Sequence, residues 1–96
     1  MKTHDKIKKL LEYSLKEEFK CDRDKFFEFY LKQLGKHIPE LKDLKANKNS
    51  KLKDEVADVF IIGCILSLIE GVDDKTILKR VQRFREHIDN KLKEKV

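Results

Sequence analysis

The sequence has no tryptophan, one proline, three glycines and two cysteines among 96 residues. Each shortage excludes something. So few glycines and prolines exclude a collagen-like chain and a Pro/Gly-rich disordered one. They also disfavour an all-β domain, which needs turn residues at short intervals. Cys21 and Cys64 lie far apart with no Cys-x-x-Cys spacing, so a disulfide scaffold is excluded and free thiols are expected, Cys21 at the surface and Cys64 in the core. No glycine-rich phosphate loop exists, which removes Walker-type NTPases and dinucleotide folds. Long hydrophobic runs are also missing. The longest apolar-dominated stretch, Val56 to Ile69, is 14 residues and contains Asp58. A membrane span needs about 18–20. The start, Met1-Lys2-Thr3-His4-Asp5, has no signal-peptide pattern, so a cytoplasmic protein without membrane partners is expected.

What remains is charge and leucine. Charged residues make up 43% of the chain, a composition that favours helix over strand. The expectation is a single all-α domain over residues 1–96. A core this thin predicts self-association. The net charge of +5 is mild and spread out. It suits a solvated Lys/Glu surface and would also favour a polyanion, either nucleic acid or a nucleotide phosphate.

Four helical segments follow from the spacing of apolar residues. The first runs from about Asp5 to Lys20, with Ile7, Leu10, Leu11, Leu15 and Phe19 on one face. The second runs from about Lys25 to Ile38, capped by Asp24, and stops or kinks at Pro39. Residues 40–49 read as a short helical turn and an exposed loop. The third is expected from Ser50 as N-cap to Glu70, with Gly71 in the left-handed position that ends helices. It is apolar on nearly every side, which predicts burial by neighbours all round. The fourth starts near Asp73 or Asp74. Its stripe of Ile77, Val81, Phe84 and Ile88, with Leu78 and Leu92 beside it, predicts an amphipathic helix laid on a core.

Asp58 is the chemical anomaly. A carboxylate in an otherwise apolar helix costs several kcal/mol unless it is paired, hydrogen-bonded or metal-bound. Glu55 lies three residues earlier and projects from the same face. The two acids suit half of a site for a hard divalent cation such as Mg²⁺, or one helix-start acid plus one buried ion pair. His4, His37 and His87 have no ligand spacing with one another.

Wider context resembles a family. Glu55-Val56-Ala57-Asp58 opening the third helix, then Gly71-Val72-Asp73 leading into a basic fourth helix, is similar to the C-terminal half of the MazG-like all-α nucleoside triphosphate pyrophosphohydrolases. Upstream, Phe27-Glu28-Phe29-Tyr30-Leu31-Lys32-Gln33-Leu34-Gly35-Lys36-His37 resembles that family's first motif. The resemblance covers about residues 26–88. It implies a four-helix MazG-like bundle, assembly as a homodimer or a dimer of dimers, and Mg²⁺-dependent hydrolysis of a nucleoside triphosphate to the monophosphate and pyrophosphate.

The family pattern is Glu-Glu-x-x-Glu followed by Glu-x-x-Asp. Here the first three acidic positions read Lys32, Gln33 and Lys36, while Glu55 and Asp58 keep the second motif. Each lysine about 4 Å from a dication would oppose it by roughly 8 kcal/mol at an effective dielectric near 20, twice the value for two unit charges. The expectation is that Lys32 and Lys36 neutralise Glu55 and Asp58 directly, and that the chain is a pseudoenzyme. Glu28 either pairs with Lys32 one turn later or supplies a displaced ligand. Lys79, Arg80 and Arg83 are the phosphate-binding candidates on the fourth helix, or simply its solvated face. Three readings stay open: a silent structural or partner-binding bundle, an active pyrophosphohydrolase with an altered metal site, and a basic nucleotide- or nucleic-acid-binding module.

Overall fold

A computed structural model describes residues 2–94, and among them the structure is all-helical. The elements are α1 (Lys2–Glu17), α2 (Arg23–Ala46), α3 (Leu52–Ile69) and α4 (Asp74–Glu94). None of these helices is long and apolar enough to cross a membrane.

The first three helices form one packed body, in which α3 lies against both α1 and α2. Its centre is Ile7 and Leu11 of α1, Phe26 of α2, and Ile65 and Ile69 of α3. Phe26 is fully buried. Its ring meets Phe19 edge-on at 5.6 Å and Tyr30 at 4.8 Å, and Phe29 extends the cluster. Ser14 is buried among these groups and hydrogen-bonded: its hydroxyl donates to Glu18 Oε1 at 2.8 Å and accepts from the Tyr30 hydroxyl at 2.9 Å. Arg23 Nη2 donates to the Ile69 carbonyl at 2.5 Å, tying the start of α2 to the last turn of α3.

Helix ends explain much of the local sequence. The N-cap of α2 is Asp22, whose side chain accepts from the Lys25 amide, rather than the expected Asp24. No side chain caps α3: Lys51 holds the N-cap position, and Asn49 Oδ1 accepts from its amide, so Ser50 is not the cap. At the other end Gly71 takes φ +69° as expected, and Val72 N donates to the Ser67 carbonyl in a Schellman closure. The same closure ends α2, with Lys48 at φ 52° in the place glycine usually takes. Asp73 starts α4, accepting from both the amide and the hydroxyl of Thr76.

Three expectations are corrected. The second helix does not end near Ile38 but runs through Pro39 to Ala46, so residues 40–46 are helix and not loop. The bond lost at proline would have reached the Gly35 carbonyl. Both residues lie on the exposed side, where the Gly35 carbonyl is open to solvent, while Leu41 and Leu44 beyond the proline are half-buried. Packing therefore overrides the local cost. The third helix is not buried all round, since Val56 and Phe60 are exposed. The fourth helix is not laid on the core: none of its residues is buried. A compact 96-residue domain has a radius of gyration of about 12–13 Å. This chain has 16.6 Å and spans 55 × 37 × 27 Å.

Candidate functional site

The residues that carry chemistry gather where the second half of α2 passes the first turns of α3. On α2 the half-buried positions are Phe27, Tyr30, Gln33, Leu34, His37, Leu41 and Leu44. Their spacing of three and four places His37 on the face turned to α3. Glu55 comes from the first turn of α3 and is also largely covered. His37 Nδ1 lies 2.6 Å from Glu55 Oε2 and 3.6 Å from Glu40 Oε2. A carboxylate has no proton to give, so the imidazole Nδ1–H donates to Glu55.

Asp58 lies one turn beyond Glu55 and is exposed. One ligand-type atom each of His37, Glu55 and Asp58 falls within 4.8 Å of the others. Glu40, Asp43, Leu44, Lys51 and Glu55 line a shallow cleft of about 230 Å³ beside this group. The cleft thus has three carboxylates and one ammonium on its walls.

This geometry corrects the expected neutralisation. Lys32 and Lys36 are exposed, and among the described residues neither forms an ion pair with Glu55 or Asp58. The group found against Glu55 is the imidazole one residue further on. The buried aspartate is corrected too, because Asp58 faces solvent and needs no partner to offset burial. Among the described residues, Gln33 is half-buried with no side-chain hydrogen bond, and Glu28 is exposed without an ion pair to Lys32.

The phosphate-binding candidates sit apart. Lys79, Arg80 and Arg83 are exposed on α4, which packs along none of the other helices. Arg80 and Arg83 share an open groove with Phe84, Glu86, His87 and Asn90, all of α4 itself. Within one chain these bases do not join the α2–α3 acids. Cys21 is exposed and Cys64 half-buried at the edge of the core, both as free thiols.

His37 is the site residue that the spacing of histidines missed. Its signal lay in the apolar periodicity of α2, which puts position 37 in line with Leu34 and Leu41 and turns 32 and 36 away. Set against known proteins, the chain matches no family model, no curated protein and no solved structure.

Proposed function

We propose that this chain is a MazG-like helical module in which the pyrophosphohydrolase reaction has been lost, and that it works by association rather than by turnover. One observation carries the reading: the glutamate of the Glu-x-x-Asp motif is held at 2.6 Å by His37, with lysines at the positions where acids would complete a cation site. Mg²⁺ demands near-octahedral oxygen ligation. Two carboxylates, one of them already bonded to an imidazole, do not fit it. The His37–Glu55 pair then serves to fasten the far half of α2 to the start of α3. Pyrophosphate release from a panel of nucleoside and deoxynucleoside triphosphates with Mg²⁺ tests this, and none above the protein-free blank is expected. Release that disappears in Glu55→Gln would overturn it.

A second reading is favoured by the 4.8 Å cluster. One imidazole and two carboxylates form a mixed donor set suited to Mn²⁺, Co²⁺ or Zn²⁺. On this reading the site binds such an ion through His37, Glu55 and Asp58. Calorimetric titration with Zn²⁺ and Mn²⁺ separates the two: saturable binding lost in both His37→Ala and Asp58→Asn supports the metal reading, and no binding supports the fastening role.

A further inference from the structure

Helix α4 offers an apolar face with nothing against it. None of its 21 residues is buried. Ile77, Leu78, Val81, Phe84, Ile88 and Leu92 are 47–68% exposed. At about 100° per residue they share one arc about 120° wide. A lone helix with such a face is marginal in water, because most helix stability comes from covering it.

Charge is arranged around that arc. Between Asp74 and Glu94 stand seven Lys and Arg against four Asp and Glu, so +3 of the chain's +5 sits on this helix. By the same angular count, Arg80 and Lys91 border the arc on one side and Arg85 on the other, while Lys79 and Arg83 lie on the far side. All five are exposed. The acids disturb this little. Asp74 is in the first turn and Glu94 at the last residue, Glu86 is on the far side, and Asp89 lies 3.4 Å from Arg85. A wide apolar arc with bases at its edges and a basic polar face is the pattern of helices that lie in the surface of a bilayer.

We propose that α4 lies on anionic membrane surfaces, with Phe84 and its apolar neighbours inserted and Arg80, Arg85 and Lys91 against lipid phosphates. Arginine and lysine at the edge of a buried stripe reach up to the headgroups while their stems stay in apolar surroundings. Charge selects this occupant over a second copy. The other open apolar surface, a groove of about 400 Å³ between α1 and α3, has Lys6 on its wall, so a stripe edged by bases would meet a base there. An anionic bilayer is apolar beneath and negative above, which complements both features of the helix. Because α4 packs along none of the other helices, its whole length is free to lie flat. The lack of a spanning helix bears on crossing a bilayer and not on lying along one. The binding stands whether or not the α2–α3 site retains chemistry.

Flotation of the full chain with vesicles tests this. The chain is expected to float with equimolar phosphatidylcholine and phosphatidylglycerol, and to bind phosphatidylcholine alone at least about tenfold more weakly. Raising salt from about 0.1 M to 1 M shortens the screening length from about 10 to 3 Å and should weaken the binding. F84E puts a charge in place of the bulkiest side chain of the stripe and should weaken it at least about tenfold. R80E with K91E should do about the same by reversing one edge. F60E, comparably exposed but on α3, should bind like the wild type. Far-UV circular dichroism verifies that each variant is folded, and I88E replaces F84E should that one not fold. The chain has no tryptophan. F84W therefore adds a single reporter, whose emission should shift to the blue with lipid, whereas that of R83W on the far side should not. Equal binding to the two vesicle types, binding retained in F84E or lost in F60E, or flotation with the F84W emission unshifted overturns the proposal. So does a chain that ignores both vesicles, and one that then runs at twice its 11.5 kDa mass assigns the stripe to a second copy instead.

Discussion

The first helix and the last carry the same kind of apolar stripe, and only one of the two is covered. In α1, Ile7 and Leu11 are buried against Phe26, Ile65 and Ile69. In α4, Val81, Phe84 and Ile88 are exposed from end to end. The difference is not in the helices but in what lies opposite. Helix α2 returns along α3 and α1 packs on the same neighbour, whereas among the described residues no helix packs along α4. An amphipathic pattern therefore states that a face must be covered without stating by whom. The body of residues 2–69 rests on side chains distant in sequence. Helix α4 rests on its own hydrogen bonds, its N-terminal cap and a few exposed pairs such as Arg85 with Asp89.

The largest effect expected from this contrast is at a pair of phenylalanines. Phe26→Ala empties the centre of the core and should cost about 3–5 kcal/mol, a large part of the stability of a small domain. Phe84→Ala, measured at a concentration low enough for monomers, should change it by no more than about 0.5 kcal/mol. Urea denaturation followed by circular dichroism reads both. A concentration-independent loss of more than about 1 kcal/mol at Phe84 would show that α4 packs on its own body, and the contrast would collapse.

A middle effect belongs to the fastening of α2 to α3. His37→Ala and Glu55→Gln each remove a charge-assisted hydrogen bond and should lower the unfolding free energy by about 1–2 kcal/mol. The double variant should cost little more than either single one, because both remove the same contact. Additive losses in the cycle would mean that the two side chains contribute separately. Lys36→Ala, next in sequence but on the exposed face, should be near neutral.

Those neighbours also mark how far the sequence could be read. The helical class, the left-handed Gly71 and the stripe of α4 were all legible, because each follows from local spacing and backbone preference. The continuation of α2 through Pro39 was not. The local penalty is real, but Leu41 and Leu44 beyond it are half-buried, Leu44 in the cleft that Glu55 of α3 also lines, and that burial is tertiary. At the candidate site, Glu55 was legible as half of a pair, while its partner was assigned by motif position instead of by helical face. One residue along a helix is a rotation of about 100°, enough to turn Lys36 outward and His37 inward. The face of Tyr30, Leu34, Leu41 and Leu44 was written in the sequence and outweighed the motif register. The exposure of Asp58 was hidden for a different reason: α3 reads as buried all round, and nothing in its own residues tells how many helices one chain supplies.

Smaller effects sharpen the contrast at the joint between body and α4. Gly71→Ala puts a Cβ on a residue at φ +69° and should cost about 1 kcal/mol, felt in the last turn of α3 and the turn that follows.

The smallest effect is confined to α4 and is read by pH. The amide and hydroxyl of Thr76 both donate to Asp73 Oδ1, at 2.8 and 2.7 Å. These bonds favour the ionised form and hold the carboxyl below its ordinary value, the side-chain bond being the larger cause. An aspartate in an unfolded chain titrates near about 3.9. A depressed value in the folded state means that the stabilisation is fully present above that pH and is lost as pH falls through the lower, folded value. Between pH 5 and 8 the cap should thus be constant (order-of-magnitude window from the same linkage). In acid the first turn of α4 should fray while the body around Phe26 stays protected, because α4 has no packing to hold it. Hydrogen exchange at the Thr76 and Ile77 amides against those of Ile65 and Ile69 measures this. Asp73→Asn keeps a good cap without a titrating group and should remove the acid sensitivity of that turn. Equal loss of protection in α4 and α3 as the pH falls would mean that the two regions unfold as one unit, and that the separation between body and fourth helix is not an energetic one.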